Sequence, residues 1–276
     1  MRLGGPLFAK YADPESWARE VITLGYRAAY CPVGPEASDA ETAQYEAAAK
    51  QAGIIIAECG AWSNPISQDE HERKNAVDKC VTMLAHADRI GARCCVNIAG
   101  ARGKMWDGPH PDNLSGETFD MIVSSVRSIV DAVKPARAFY TLETMPWIFP
   151  DSAESYLRLI KAINRKQFAV HFDPVNIVNC PERYFDTGTM LRECFRKLGR
   201  YIKSCHAKDT LIEEKLTLHI NEVRPGLGVL DYRVYLSELN KLGDIPLMLE
   251  HLPNADDYRL AADHIRGIAK DEGIVL

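Results

Sequence analysis

The sequence predicts a (β/α)8 barrel folded as a single domain over residues 1–276. Three observations predict it. Short runs of apolar, β-branched or aromatic residues recur eight times along the chain. Each is followed by a longer stretch with helical spacing and helix punctuation. The length of 276 residues suits one such barrel, which typically takes about 250 residues, and no linker or composition shift divides it. A doubly wound sheet is the other solution for alternating elements. It would want a glycine-rich phosphate turn after the first strand, and the early GGP meets no such pattern.

In chain order, the apolar runs begin with RLGGPLF from Arg2, YRAAYCP from Tyr26, GIIIAECGAW from Gly53 and RCCVNIAG from Arg93. AFYTLETMP from Ala138, FAVHFDPVNI from Phe168, IKSCHAKD from Ile202 and PLMLEHL from Pro246 complete the set. Runs this short and apolar suit strands buried on both faces of a parallel sheet. The first helix starts at Asp13-Pro14-Glu15 and stops at Gly25, and the second starts at Ser38 and stops at Gly53. Asp and Ser oxygens accept orphan backbone N–H groups at a helix start, and Gly tolerates the positive φ of a helix stop. Further helices are predicted over 67–90, 115–134, 152–164, 187–198, 232–242 and 255–271. Two connections are long: AGARGKMWDGPHPDN, from about Gly100, and the stretch from about Asp209 to Asp231. Both follow strands and so belong on the C-terminal face, where long loops serve as lids or binding loops.

Apolar residues make up 46% and charged residues 26%, which excludes a disordered or collagen-like chain. With 38 acidic against 33 basic residues the net charge is −5, which argues against a nucleic-acid partner. The eight cysteines form no C-x-x-C pair, and most sit in apolar runs, where a thiol acts as a small hydrophobe. The N-terminal MRLGGPLF has no signal-peptide core, and no apolar run approaches the ~18 residues of a membrane helix. The expectation is a cytoplasmic protein without membrane contact.

In a barrel, chemistry sits at the C-terminal ends of several strands. Strand three ends in Glu58, Trp62, Ser63 and Asn64, and strand four offers Asn97 and Arg102. Strand five carries Glu143; strand six carries His171, Asp173 and Asn176; strand seven carries His206, Lys208 and Asp209; strand eight carries Glu250 and His251. Glu143, Asp173, His206 and Glu250 therefore close four consecutive apolar runs. A carboxylate in such a place needs a partner or a metal. Three carboxylates and one imidazole favour a hard-to-borderline divalent cation: Mn²⁺ first, with Mg²⁺, Co²⁺ or Zn²⁺ as alternatives.

The motifs TLETMP, HFDPVN, CHAKD and LMLEH, in this order, resemble the xylose isomerase-like barrel superfamily. Its members include sugar and sugar-phosphate isomerases and epimerases, inosose dehydratases and endonuclease IV. RPGLGVLDY, with Gly226, Gly228 and Asp231, resembles the superfamily's G-x-G-x-x-D segment. The resemblance implies one divalent metal held by Glu143, Asp173, His206 and Glu250. It also implies acid/base work by Glu143 and Glu250 on opposite faces of a carbohydrate, and a homo-oligomer, dimer or tetramer. Phe149, Asn176 and Ile212 stand where the ketose epimerase branch has its substrate-gripping Glu, His and Arg. The departures imply that the substrate, or the reaction itself, differs from theirs.

Further substrate-binding candidates are Trp62, which offers a stacking surface, and Arg102, which offers a charge to a phosphate or carboxylate. His171, Asn176 and Lys208 are in reach of the strand ends, and Arg224 precedes the Gly226–Gly228 turn. Trp106 is a lid candidate, whereas Asp209 and His251 are out of phase with the proposed ligands and read as structural. Four functions remain at this stage. One is a sugar isomerase or epimerase working through an enediolate. The second is a lyase of the inosose dehydratase kind with His171 or Lys208 as general acid. The third is a non-enzymatic sugar-binding barrel, and the fourth is a nuclease with three metals.

Overall fold

The computed structural model describes residues 1–276. Seven barrel strands come first: β1 (Arg2–Gly5), β2 (Ala28–Tyr30), β3 (Ile55–Gly60), β4 (Cys94–Asn97), β5 (Phe139–Glu143), β6 (Phe168–Phe172) and β7 (Ile202–Ala207). A short hairpin, β8 (Asp209–Ile212) and β9 (Ile220–Val223), precedes the last barrel strand, β10 (Pro246–Leu249). The barrel closes in the order β1-β10-β7-β6-β5-β4-β3-β2, and every pairing in it is parallel. The chain is thus the single-domain (β/α)8 barrel that the alternation predicts.

The helices are α1 (Pro14–Thr23), α2 (Asp39–Ala52), α3 (Glu70–Ile90), α4 (Gly116–Val133), α5 (Ala153–Ile163), α6 (Pro181–Phe185), α7 (Thr187–Leu198), α8 (Tyr232–Asn240) and α9 (Ala255–Asp271). Their starts are set by side-chain caps. Asp13 accepts from the Ser16 amide at 2.7 Å and Ser38 from the Glu41 amide at 3.2 Å. Gly53 ends α2 at φ +66°, a conformation that costs an L side chain energy but not glycine. Two elements depart from the sequence reading. The five-residue helix α6 precedes α7, and the long connection after Asp209 contains the antiparallel β8–β9 hairpin rather than irregular loop.

The apolar core lies between the strands and the surrounding helices, with Trp17, Leu84, Tyr156 and Tyr235 fully buried in it. Two irregularities in the sheet aim functional side chains. Ala29 faces Ile56 but Tyr30 faces Glu58, so β3 carries one extra residue, Ala57. Likewise Val170 faces Ile202 but His171 faces Ser204, which makes Lys203 extra in β7. A bulge re-aims the residues that follow it, and bulges gather at barrel rims and active sites.

Candidate active site

Beyond its bulge, β7 points every second residue into the barrel: Ser204, His206 and then Lys208, all buried. Helix α8 holds this strand end. The Tyr235 hydroxyl donates to the His206 carbonyl at 2.8 Å and the Tyr232 hydroxyl to the Lys208 carbonyl at 2.7 Å. Glu143 is the last residue of β5. Asp173 stands one residue beyond β6, where its Oδ1 accepts from the Val175 amide at 2.9 Å. Glu250 stands one residue beyond β10.

These elements bring Glu143, Asp173, His206 and Glu250 together, with donor atoms all within 4.8 Å of one another. His206 Nδ1 lies 2.9 Å from Glu250 Oε1, 3.3 Å from Glu143 Oε1 and 3.8 Å from Asp173 Oδ2. The other ring nitrogen, Nε2, lies 3.2 Å from Glu58 Oε1. Glu58 Oε2 lies 2.8 Å from His171 Nε2 and accepts from the Ser204 hydroxyl at 3.0 Å. Glu58 thus holds both imidazoles from beneath. Sequence reasoning placed Glu58 at a strand end but gave it no role; a lone carboxylate inside GIIIAECGAW was the signal.

Lys208 is buried among the same carboxylates. Its ammonium is 2.6 Å from Glu250, 2.8 Å from Asp173, 3.5 Å from Glu222 and 3.6 Å from Glu143. Asn176 donates from Nδ2 to Glu143 at 3.1 Å and to Asp173 at 3.2 Å. The protonation pattern follows from this crowding. Burial alone would raise all the carboxyls, and it does raise Glu143. In Asp173 the charges of Lys208 and His206 outweigh burial and hold the carboxyl well below its usual range. Glu250 is brought down to about 2 in the same way by His206 and Lys208. His206 is pushed well above its ordinary value, because Glu250, Glu143 and Glu58 outweigh its burial.

The cluster fits a divalent cation on its own chemistry. Three carboxylates and an imidazole are a suitable oxygen-rich donor set, and Glu58 is placed to keep the imidazole proton on Nε2 and leave Nδ1 as ligand. Glu250 Oε1 is buried close to two cations, yet neither N–H is aimed to make a hydrogen bond with it. That acceptor still has a lone pair to give.

Above the cluster opens a cavity of about 500 Å³, within the usual range for small-molecule sites. Trp62, Trp106, Ile98, Met145 and Tyr258 form its apolar wall. Glu58, Asp107, Glu143, Glu222 and Glu250 face Lys208 and His251 in it. Of the substrate-binding candidates from the sequence, Trp62, Asn176 and Lys208 line the cavity. His171 lies fully buried on Glu58, below the cavity, and so supports Glu58 rather than facing a ligand. Arg102 is turned away onto Met121 and Glu117, and Arg224 pairs with Asp257 at 3.3 Å; neither lines the cavity. His251, read as out of phase, is swung back to the cavity by a left-handed backbone (φ +57°) and pairs with Glu222 at 3.2 Å. Asp209 is structural, as its phase predicts: its carboxylate accepts from the amides of Thr210, Gly226, Gly228 and Leu230.

The xylose isomerase-like TIM barrel model matches residues 18–268. The chain belongs to that family. No curated protein matches the chain. Among solved structures, endonuclease IV from Thermus thermophilus is 15% identical with a TM-score of 0.75, over 98% of this chain and 100% of that one. A 3-keto-D-glucoside 4-epimerase from E. coli is 16% identical with a TM-score of 0.71, over 97% and 99%. A xylose isomerase-like barrel protein from Mycobacterium smegmatis, solved with magnesium, is 15% identical with a TM-score of 0.66, over 94% and 89%. At these identities the likeness shows the fold. Two of the three positions set against the ketose epimerase branch by the sequence resemblance carry packed apolar side chains. Phe149 packs edge-on against Phe119, with ring centroids 5.6 Å apart, and Ile212 sits on the hairpin with its side chain against the core.

Proposed function

We propose that this protein is a divalent-metal-dependent isomerase or epimerase acting on a neutral keto-sugar. The observation that carries the reading is the Glu143–Asp173–His206–Glu250 cluster at the floor of an aromatic-walled cavity. Those four residues would hold the cation, Mn²⁺ foremost, with Mg²⁺, Co²⁺ or Zn²⁺ as alternatives. When bound, it supplies charge that polarises a substrate carbonyl and makes the neighbouring C–H acidic.

The chain's own groups then move the proton. Glu143 and Glu250 are the pair that does so: one takes the proton from the carbon next to the carbonyl and the other, on the opposite face of the sugar, returns one. They enter from β5 and β10, with β6 and β7 between them in the barrel order, so they reach a bound sugar from different sides. Lys208 steadies the negative charge that develops on oxygen, Asn176 orients Glu143, and Trp62 offers its face to the C–H side of a sugar ring.

The choice of a neutral sugar rests on the cavity charges. Acidic groups outnumber basic ones along its wall, and no arginine lines it, so a phosphate or a nucleic-acid backbone would meet repulsion. Arg102 and Arg224 have other partners, which leaves the sugar-phosphate alternative without a grip.

The test is solvent deuterium exchange into neutral keto-sugars with Mn²⁺-loaded protein. Exchange next to the carbonyl is expected, slowed at least ~10²-fold in Glu250→Gln and in Glu143→Gln. A product lighter by one water would replace this reading with a dehydratase. Metal bound but no exchange with any keto-sugar would leave a sugar-binding barrel instead.

A further inference from the structure

A second group of donors lies outside the barrel, away from the carboxylate cluster. Cys31 follows β2, and its amide donates to the Glu58 carbonyl of β3 at 3.0 Å. Cys59 is the neighbouring position on β3, and His86 reaches down from α3, which covers these strands. The Cys31, Cys59 and His86 donor atoms all lie within 4.8 Å of one another. Cys31 Sγ is 3.4 Å from His86 Nε2, and the Val33 carbonyl oxygen lies 3.2 Å from that sulfur and 2.9 Å from that nitrogen. Two sulfurs, one imidazole nitrogen and one carbonyl oxygen therefore converge.

We propose that Cys31, Cys59 and His86, with the Val33 carbonyl, form a second metal site that takes a thiolate-preferring d¹⁰ cation such as zinc. Zinc bonds of about 2.3 Å to sulfur and about 2.0–2.1 Å to nitrogen set the donors of a tetrahedron about 3.3–3.8 Å apart. Cys31 Sγ meets this with His86 Nε2 at 3.4 Å and nearly so with the Val33 oxygen at 3.2 Å, whereas that oxygen and His86 Nε2, now 2.9 Å apart at hydrogen-bond distance, separate on binding. Hydrophobic packing explains a buried thiol, but it does not call for two thiols, an imidazole and a carbonyl to meet at one point.

Burial pushes the thiols of Cys94, Cys95 and Cys205 up, as expected of inert fillers. Cys31 instead is lowered to about 5, by its hydrogen bond with Cys59 first and, against burial, by His86, while that same contact and burial push Cys59 well up. Binding releases the thiol protons and moves the His86 ring proton to Nδ1. That atom now lies 3.1 Å from Arg89 Nη2, which also serves the Pro35 and Ala37 carbonyls at 3.0 Å each. Two hydrogens there face three acceptors, so Arg89 keeps the carbonyls and gives up the ring. The cation would tie β2, β3 and α3 together behind Tyr30 and Glu58, both of which line the cavity on the other side of the sheet.

Cobalt(II) is the probe. Phosphine-reduced, chelator-stripped protein is titrated with cobalt and followed by absorbance. A sulfur-to-cobalt charge-transfer band and intense tetrahedral d–d bands are expected, reversed by zinc. The carboxylate–imidazole cluster contains no sulfur and cannot produce the charge-transfer band. Glu250→Gln should therefore keep it, whereas Cys31→Ser and His86→Gln should each remove it. If Cys59→Ser fails to fold, partly buried Cys31 still carries the test. No band from fully reduced wild type at excess cobalt would overturn the proposal, as would a band that survives Cys31→Ser.

Discussion

Glu58 is the residue on which the geometry of the cluster turns. It touches no cavity-floor carboxylate, yet it holds both His171 and His206. Replacing it with Gln removes the charge that keeps the His206 proton on Nε2. Metal affinity should then fall by about 10–100-fold, read by calorimetry with Mn²⁺, in a chain that still folds by circular dichroism. Unchanged affinity would remove Glu58 from this role. His206 also sets a pH dependence. Its value is raised well above the ordinary one, so the metal-free protein carries the proton at neutral pH. A metal must expel that proton, so affinity should rise about tenfold per pH unit through neutrality, with about one proton released per ion. Calorimetry in buffers of different ionisation enthalpy counts that proton, and a flat profile would contradict the assignment of His206 as ligand.

At the scale of elements, strand ends and loops are tied down by single polar residues. Asp209 satisfies the amides of Thr210, Gly226, Gly228 and Leu230, pinning the hairpin to the turn that leads into α8. A Cβ on Gly228 would sit 2.3 Å from the Thr210 carbonyl oxygen and 2.4 Å from Asp209 Oδ1, so only glycine fits this approach. Asp209→Ala should cost roughly 1–3 kcal/mol in urea unfolding and speed hydrogen exchange at the Gly226–Leu230 amides. Tyr235→Phe should cost about 1 kcal/mol, because the His206 carbonyl loses its partner. The helices other than the short α6, with their Asp, Ser and Gly punctuation, were legible in the sequence to within a few residues at each end. The β8–β9 hairpin was not. Its strands are short and mixed, and their pairing spans a gap that local patterning does not reveal.

For the molecule as a whole, the cluster links stability to metal. Glu143, Asp173, His206 and Glu250 come from β5, the end of β6, β7 and the end of β10, so a shared cation would bind one half of the barrel together. At 100 times Kd, binding adds about 2.7 kcal/mol to the folded state. In a chain of this size that is a rise in Tm on the order of 5–10 °C. Mn²⁺ should produce it in thermal melts of the wild type and not of Glu250→Gln. An equal rise in both proteins would place the ion elsewhere.

The alternation of apolar runs and capped helices determined the barrel, because burial on both faces of a parallel strand writes itself into local composition. It also indicated the strand-end carboxylates and His206, since a charge closing an apolar run calls for a partner. Only the tertiary structure decided which charges meet. Residues Ala57 and Lys203 are extra in their strands and shift the pairing, Glu58 joins side chains far apart in the chain, and a left-handed turn returns His251 to the cavity. Arg102 and Arg224 carry the right charge in the right loops, yet Glu117 and Asp257 claim them first. Phase and composition describe each strand by itself; the partners of a side chain depend on where the closed barrel brings the other strands.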